Sequence, residues 1–248
     1  MTFLTGASSG IGRSLARRLA ADGQPIAVAA RRKALLDTLV DEIASAGGQA
    51  MAIACDVTDR AAVREAVRQA EARFGPTARL VANAGGALGS ADGFSAAQVA
   101  AVIDVNLLGV ANCVDAVLPG MLERRAGHLV AISSLAAYRG LPGSAAYSAA
   151  KAALTNMMES LRIDLRSTGV DVTVIAPGFV RTKPGPAHKK NRPLRLELEA
   201  ATQLIHRAIL ARKPYYAFPK LLVALVWLGR LMPAAIYDRA LAGRGPKR

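Results

Sequence analysis

The 248-residue chain contains only two cysteines, and they stand far apart. Cys55 and Cys113 form neither a CxxC pair nor a metal-like spacing, so two buried thiols in a reducing compartment are expected rather than a disulfide or a zinc site. Histidine is equally sparse. His128, His188 and His206 share no ligand spacing, so structural or solvated roles are expected for them and no metal. Aromatic residues make up 4% of the chain. The most basic stretch, "HKKNRPLR", has no interleaved stacking rings, which argues against nucleic-acid binding. No repeat and no low-complexity linker interrupts the chain, so a single domain of this length is expected. The start, "MTFLTGASSGIG", lacks a basic region followed by a long apolar run, which points to the cytoplasm.

Acidic residues are scarce in one region. Residues 1–178 hold 17 Lys/Arg and 15 Asp/Glu, a net +2, whereas residues 179–248 hold 15 and 3, a net +12. The basic character is therefore a C-terminal property. It points either to an anionic partner or surface, or to a solvated basic face that aids solubility.

What is present is an alternation of short apolar runs with helical patterns. "TFLT", "PIAVAA", "AMAIAC", "ARLVAN", "HLVAIS" and "VDVTVIAP" read as strands, separated by helices over residues 11–21, 35–46, 61–74, 96–124 and from Tyr147 onward. The strands are continuous apolar runs rather than alternating ones, as parallel strands buried on both faces should be. A Rossmann-type α/β fold follows, a doubly wound parallel sheet with helices on both faces and ligands at the carboxyl ends of its strands. After Pro177 the pattern changes to "GFVRTKPGPAHKKNRP", an excursion rich in Pro, Gly and basic residues, then a helix near 196–212 and a last strand in "YYAFP". Residues 1–182 are read as the nucleotide-binding and catalytic core, and residues 183–248 as a substrate lid and extension of the same domain.

Two local signals carry chemistry. "TGASSGIG", residues 5–12, lies between a predicted strand and a predicted helix, where Gly6, Gly10 and Gly12 let the backbone approach a pyrophosphate at a helix N-terminus. The next strand ends in Ala29 and Ala30 followed by Arg31, Arg32 and Lys33. An acid here would bind a ribose 2′-hydroxyl, whereas arginine suits the 2′-phosphate of NADP, so NADP is expected over NAD. Arg13, in the glycine loop, is a further cation available for that phosphate.

With these motifs, and with "YSAAK" at residues 147–151, the sequence resembles the short-chain dehydrogenase/reductases. The resemblance runs from Thr2 to about Thr182. It implies cofactor contacts from Gly6, Ser8, Ser9, Gly10, Ile11 and Gly12; from Asp56 and Val57 in "CDV"; from Asn83, Ala84 and Gly85 in "ANAG"; and from Pro177, Gly178, Val180 and Thr182 in "PGFVRT". Ala82 is a small departure at a position that is often Asn. The family's helix asparagine matches Asn106, where it is expected to hold a water linking Lys151 to solvent. The family's serine spacing selects Ser134 over Ser133, and its Tyr-x-x-x-Lys pair matches Tyr147 and Lys151, which also contact the cofactor. Tyr147 would then carry the proton that accompanies hydride transfer between carbonyl and alcohol. The charge of Lys151, with that of the oxidised nicotinamide, would lower the phenol's pKa, and Ser134 would hold the substrate oxygen. A homo-oligomer is implied as well, paired through the helices at 96–124 and 147–168.

Two rival readings use the same residues. One is a nucleotide-sensing or scaffold protein without turnover, against which the complete tetrad argues. The other is a membrane-peripheral module built on "KLLVALVWLGRLMPAAIYDRAL". That segment is strongly apolar but carries Arg230 and Pro233, and its unbroken run is shorter than the ~20 residues a bilayer span requires. With Trp227, Lys220 and the basic tail it suits an anionic membrane surface and a hydrophobic substrate. It suits equally a place against the protein's own core or a second subunit.

Overall fold

A computed structural model describes residues 1–86, 94–182 and 194–242. In chain order the core is β1 (Thr2–Thr5), α1 (Gly10–Ala20), β2 (Ile26–Ala30), α2 (Lys33–Ser45), β3 (Ala50–Ala54), α3 (Arg60–Phe74) and β4 (Arg79–Ala82). Then come α4 (Ala96–Ile103), a π-helical segment (Asp104–Leu108), α5 (Gly109–Glu123), β5 (Gly127–Ile132), α6 (Ala145–Asp164) and β6 (Val170–Pro177). The C-terminal part adds β7 (Val180–Arg181), β8 (Leu196–Glu197), α7 (Leu198–Leu210), β9 (Tyr215–Phe218), α8 (Lys220–Leu231) and α9 (Ala234–Leu241).

Seven strands form one parallel sheet in the order β3-β2-β1-β4-β5-β6-β9. Side chains alternate across a strand, so a sheet covered on both faces needs apolar residues at every position. Phe3 and Leu4, consecutive on β1, enter opposite cores, and Leu129 and Val130 do the same on β5. One core lies beneath α3, α5 and α6, the other beneath α1, α2 and α7. The strand order reverses between β1 and β4, which opens a crevice at their carboxyl ends.

The helix expected over 96–124 runs Ala96–Glu123 and is long and apolar enough to span a bilayer. Here it is a core helix: Val110, Cys113, Val117 and Met121 are buried with strand residues Leu80 and Leu129. It also contains a feature the apolar pattern does not mark, the π-helical segment around Asn106. Other boundaries shift as well. The helix expected from residue 196 starts at Leu198, because Leu196 and Glu197 pair with β7 as a short strand. The Tyr147 helix starts at Ala145 and ends at Asp164 rather than near Thr168. The apolar C-terminal stretch is two helices broken at Pro233, which lacks the N–H that a continuing helix needs. His128 is buried and bonded to Thr173 Oγ1 at 2.8 Å, and His206 pairs with Asp22. His188 and most of "HKKNRPLR" lie outside the described residues.

Candidate active site

The crevice is floored by the loop after β1. Gly6 has φ +70°, a conformation side chains disfavour, and a Cβ on it would sit 2.7 Å from Ala84 Cα. A Cβ on Gly12 would collide with the Gly6 carbonyl oxygen, so Gly12 is what lets α1 begin against the loop. Asn83, after β4, ties the two loops together. Its Nδ2 donates to Thr5 O at 3.0 Å and Gly6 O at 3.2 Å, while Thr5 Oγ1 accepts from the N–H groups of Asn83 and Ala84. The Asn83 side chain therefore supports the glycine loop.

A cleft of about 190 Å³ opens over this floor, with Gly6, Ser8, Ser9, Ala84 and Gly85 on one side and Arg31, Arg32, Asp56 and Val57 on the other. Arg32 donates to Ser8 Oγ at 2.8 Å and to Ser9 Oγ at 3.1 Å, so it is fixed against the loop. Arg31 reaches outward and meets Asp56 at 4.0 Å. The backbone N–H of Thr58, with smaller help from its hydroxyl and from Arg31, holds the Asp56 carboxyl below the usual range. Val57 is anchored through its carbonyl by Asn112 Nδ2 at 2.9 Å. Arg13 departs from expectation: it donates to Leu35 O at 2.6 Å and to Glu42 at 2.7 Å, so it braces α2 instead of facing the cleft. The sequence grouped Arg31, Arg32 and Lys33 without separating them. Only their side-chain directions distinguish them, and Lys33 pairs with Asp37.

The residues expected to carry chemistry converge at the ends of β4, β5 and β6. Of the two consecutive serines after β5, Ser133 turns toward the α6 backbone, bonding Lys151 O and Thr155 Oγ1. Ser134 lies beside the Tyr147 phenol and acts to lower its pKa, and its Oγ accepts from the N–H of Ala136 at 3.1 Å. Lys151 lies one turn after Tyr147 on α6. Its Nζ donates to Ile132 O at 2.8 Å and sits 5.8 Å from the Tyr147 ring centroid. Burial of Lys151, 4% exposed, pulls its ammonium down to about 8.

Two features of the site bear on the expected roles of these residues. Burial pushes the Tyr147 phenol up, and Ser134 opposes that only partly, so the expected lowering by Lys151 is not the net effect in the protein alone. The side-chain amide of Asn106 is already committed. Its Nδ2 donates to Val102 O at 2.9 Å and Gly86 O at 3.0 Å, and its Oδ1 accepts from Gly86 N at 3.2 Å. Asn106 thus pins the loop after β4. A Cβ on Gly85 would lie 2.5 Å from Asn106 Oδ1 and 3.4 Å from Lys151 Nζ, which shows how closely that loop fits between the two. On the far side, Gly178 N donates to Phe218 O at 2.7 Å and Thr182 lies over Gly10, so the segment after Pro177 folds back over the glycine loop.

A dinucleotide-type cleft at the strand-order reversal, beside a Ser–Tyr–Lys cluster, defines a nucleotide-dependent oxidoreductase of the Rossmann-type class. The short chain dehydrogenase family model matches residues 1–192. An uncharacterized oxidoreductase of Myxococcus xanthus is 42% identical over 239 residues, 96% of this chain and 94% of that one. A 3-oxoacyl-[acyl-carrier-protein] reductase of Staphylococcus epidermidis is 36% identical over 72% of this chain and 74% of its own length. Among solved structures, a short-chain dehydrogenase/reductase of Burkholderia phymatum in complex with NAD superposes with TM-score 0.82 and 28% identity, covering 100% of this chain and 96% of that one. An alcohol dehydrogenase of Thermococcus sibiricus complexed with 5-hydroxy-NADP superposes with TM-score 0.77 and 26% identity, covering 88% and 94%. The chain belongs to the short-chain dehydrogenase/reductase family and is an oxidoreductase of that family, whose members bind a nicotinamide cofactor.

Proposed function

We propose that this protein interconverts a carbonyl compound and its secondary alcohol using NADP(H), and that the substrate is hydrophobic. The observation that carries the reading is the placement of Ser134 and Tyr147 beside the buried Lys151 ammonium, next to a cleft that suits a dinucleotide. Glycines at 6, 10 and 12 leave room for a pyrophosphate, with Ser8, Ser9 and Ile11 beside them. Arg31 and Arg32 suit a 2′-phosphate, and Asp56 and Val57 suit the adenine. Asn83, Ala84 and Gly85 would border the cofactor further along, and Pro177, Gly178, Val180 and Thr182 would meet its carboxamide end. When bound, the cofactor donates or accepts the hydride.

The side chains of this protein handle the oxygen and its proton. Ser134, oriented by Ala136, would hold the substrate oxygen beside the Tyr147 hydroxyl. Tyr147 would give its proton to that oxygen in reduction and take it back in oxidation, and the Lys151 cation would stabilise the phenolate left behind. Asn106 keeps the Gly85–Gly86 backbone in register with Lys151. Apolar packing of Leu135, Tyr138, Phe179, Val223 and Val226 next to Ser134 supports a hydrophobic substrate. Buried Cys55 and Cys113, with thiols pushed up to about 11 and about 12 by burial, suit a reducing compartment such as the cytoplasm.

A panel of ketones and secondary alcohols, assayed with both reduced and both oxidised cofactors, tests the reading. Tyr147→Phe should lower turnover by ~10²–10⁴-fold while calorimetric cofactor affinity stays within about twofold. Substantial turnover in that variant would assign the proton to another group. Cofactor binding without turnover on any member of the panel would favour a nucleotide-sensing protein.

A further inference from the structure

We propose that α8 and α9 form a docking face for an anionic lipid bilayer, lying flat on its surface. Through Leu222, Val223 and Val226, α8 packs on Leu135, Ala176 and Phe179. Its opposite side exposes Leu221, Ala224, Leu225, Trp227, Leu228 and Leu231. At 100° per residue these six positions form one arc whose single polar side chain is Lys220, at the first position of the helix. Solvent-facing helices of a soluble domain normally carry their charged residues there. In α8 the arrangement is inverted. After the chain breaks at Pro233, Ile236 on α9 is also exposed.

This face is held in place. Arg139 donates to Met232 O at 2.8 Å and also to Gly229 O, and its guanidinium lies 3.8 Å from the Tyr237 ring centroid. Tyr237 Oη donates to Gly140 O at 2.8 Å, and Arg230 donates to Tyr138 O at 3.3 Å. The helices are thereby tied at their corner to the loop that follows Ser134, apolar side outward. Rolling that side inward would break all of these contacts.

Charge selects the occupant. On α8 and α9 the cations Lys220, Arg230 and Arg239 outnumber a single acid, Asp238. Lys220 opens α8, Arg239 stands in the last turn of α9, and residues 243–248 carry three further cations. Each basic residue near an anionic leaflet strengthens binding roughly fivefold. A second copy seated on the same face would bring these like charges together. A helix about 18 Å long is too short to cross a bilayer, but in the interfacial plane it buries its leucines while Trp227 sits at headgroup level.

Trp227 is the only tryptophan in the chain, so the native protein reports on this face directly. The full-length protein is mixed with phosphatidylcholine vesicles, or with phosphatidylcholine/phosphatidylglycerol vesicles, with no substrate present, so the outcome does not depend on the proposed reaction. With anionic vesicles, co-flotation, a blue shift of Trp227 emission and its quenching by brominated lipid are expected, all weakened by salt. Leu225→Asp with Leu228→Asp should weaken partition at least about tenfold while the thermal transition is retained. If that variant does not fold, the brominated-lipid quenching of the native protein decides alone. Absence of vesicle binding, equal binding to neutral vesicles, or binding unchanged in a folded double variant overturns the proposal. A lipid-free blue shift that grows with protein concentration also overturns it, by assigning the face to a second copy.

Discussion

Arg31 and Arg32 are adjacent in sequence but differ in freedom, and that difference can be measured. Arg31 has a side chain 76% exposed and meets Asp56 only at 4.0 Å, whereas Arg32 is clamped by two hydroxyls of the glycine loop. A hydrogen bond to a charged group contributes about 1.5–3 kcal/mol, or roughly 10–150-fold in affinity. By calorimetry, Arg31→Ala should weaken NADPH roughly tenfold or more and leave NADH within about twofold. Arg32→Ala should weaken both, because it also frees Ser8 and Ser9. Equal losses of both cofactors in Arg31→Ala would remove this residue from 2′-phosphate recognition. A second residue-scale prediction follows from Lys151. Its ammonium is held down to about 8 by burial, while the Tyr147 phenol is pushed above its ordinary value. As pH rises through about 8, Lys151 loses its charge while Tyr147 is still protonated. The kcat/KM for ketone reduction, which reports the free enzyme, should therefore fall on that alkaline limb. Lys151→Arg keeps its charge throughout, so its limb should move upward even though the rate drops. An unmoved limb would belong to another group. Such distinctions were only half legible in the sequence. The motif spacing chose Ser134 over Ser133 through resemblance. Which arginine of "RRK" meets the glycine loop, and where the amide of Asn106 is spent, depend on side-chain directions that no spacing encodes.

At the scale of elements, legibility followed burial. Strands covered on both faces require apolar residues throughout, and those runs marked all six strands of the core motif as well as β9. The π-helical segment at Asp104–Leu108 left no such mark, since "VIDVNLLG" keeps an ordinary apolar helical rhythm while the hydrogen-bond register shifts. Strands β7 and β8 were also missed, being two residues each and paired only with one another. The glycine loop was legible because its constraint is steric and local, which makes it a direct test of the packing. In Gly12→Ala the added methyl meets the Gly6 carbonyl and the Asn83 amide, neither of which has room to yield. Overpacking of this kind costs about 1–3 kcal/mol. A lower Tm is expected, with cofactor affinity reduced as well, because the same carbonyl anchors Asn83. A Gly12→Ala protein as stable as the parent would show that α1 can retreat from the loop.

At the scale of the whole molecule, two apolar surfaces among the described residues lie on different elements. One is the α8–α9 face. The other lies on the helices over the opposite core, where Leu108 is 49% and Ile163 66% exposed while their neighbours Val110 and Met158 are buried. We propose this second surface as the place of self-association. Family members usually oligomerise; Asp115 at mid-helix on α5 is already paired with Arg60 and Arg64, and Glu159, Arg162 and Asp164 border Ile163 on α6. Light scattering at micromolar concentration should give at least twice the chain mass of 25.8 kDa. Ile163→Glu should shift the population toward the monomer, since a charge buried without a partner opposes association strongly. The residue lies near the end of α6, four turns beyond Tyr147, so cofactor affinity should be unaffected. Leu225→Asp should leave the mass unchanged, because α8 faces elsewhere. A native mass of 25.8 kDa would remove the self-association assignment. A mass that responds to Leu225→Asp but not to Ile163→Glu would transfer it to the C-terminal helices.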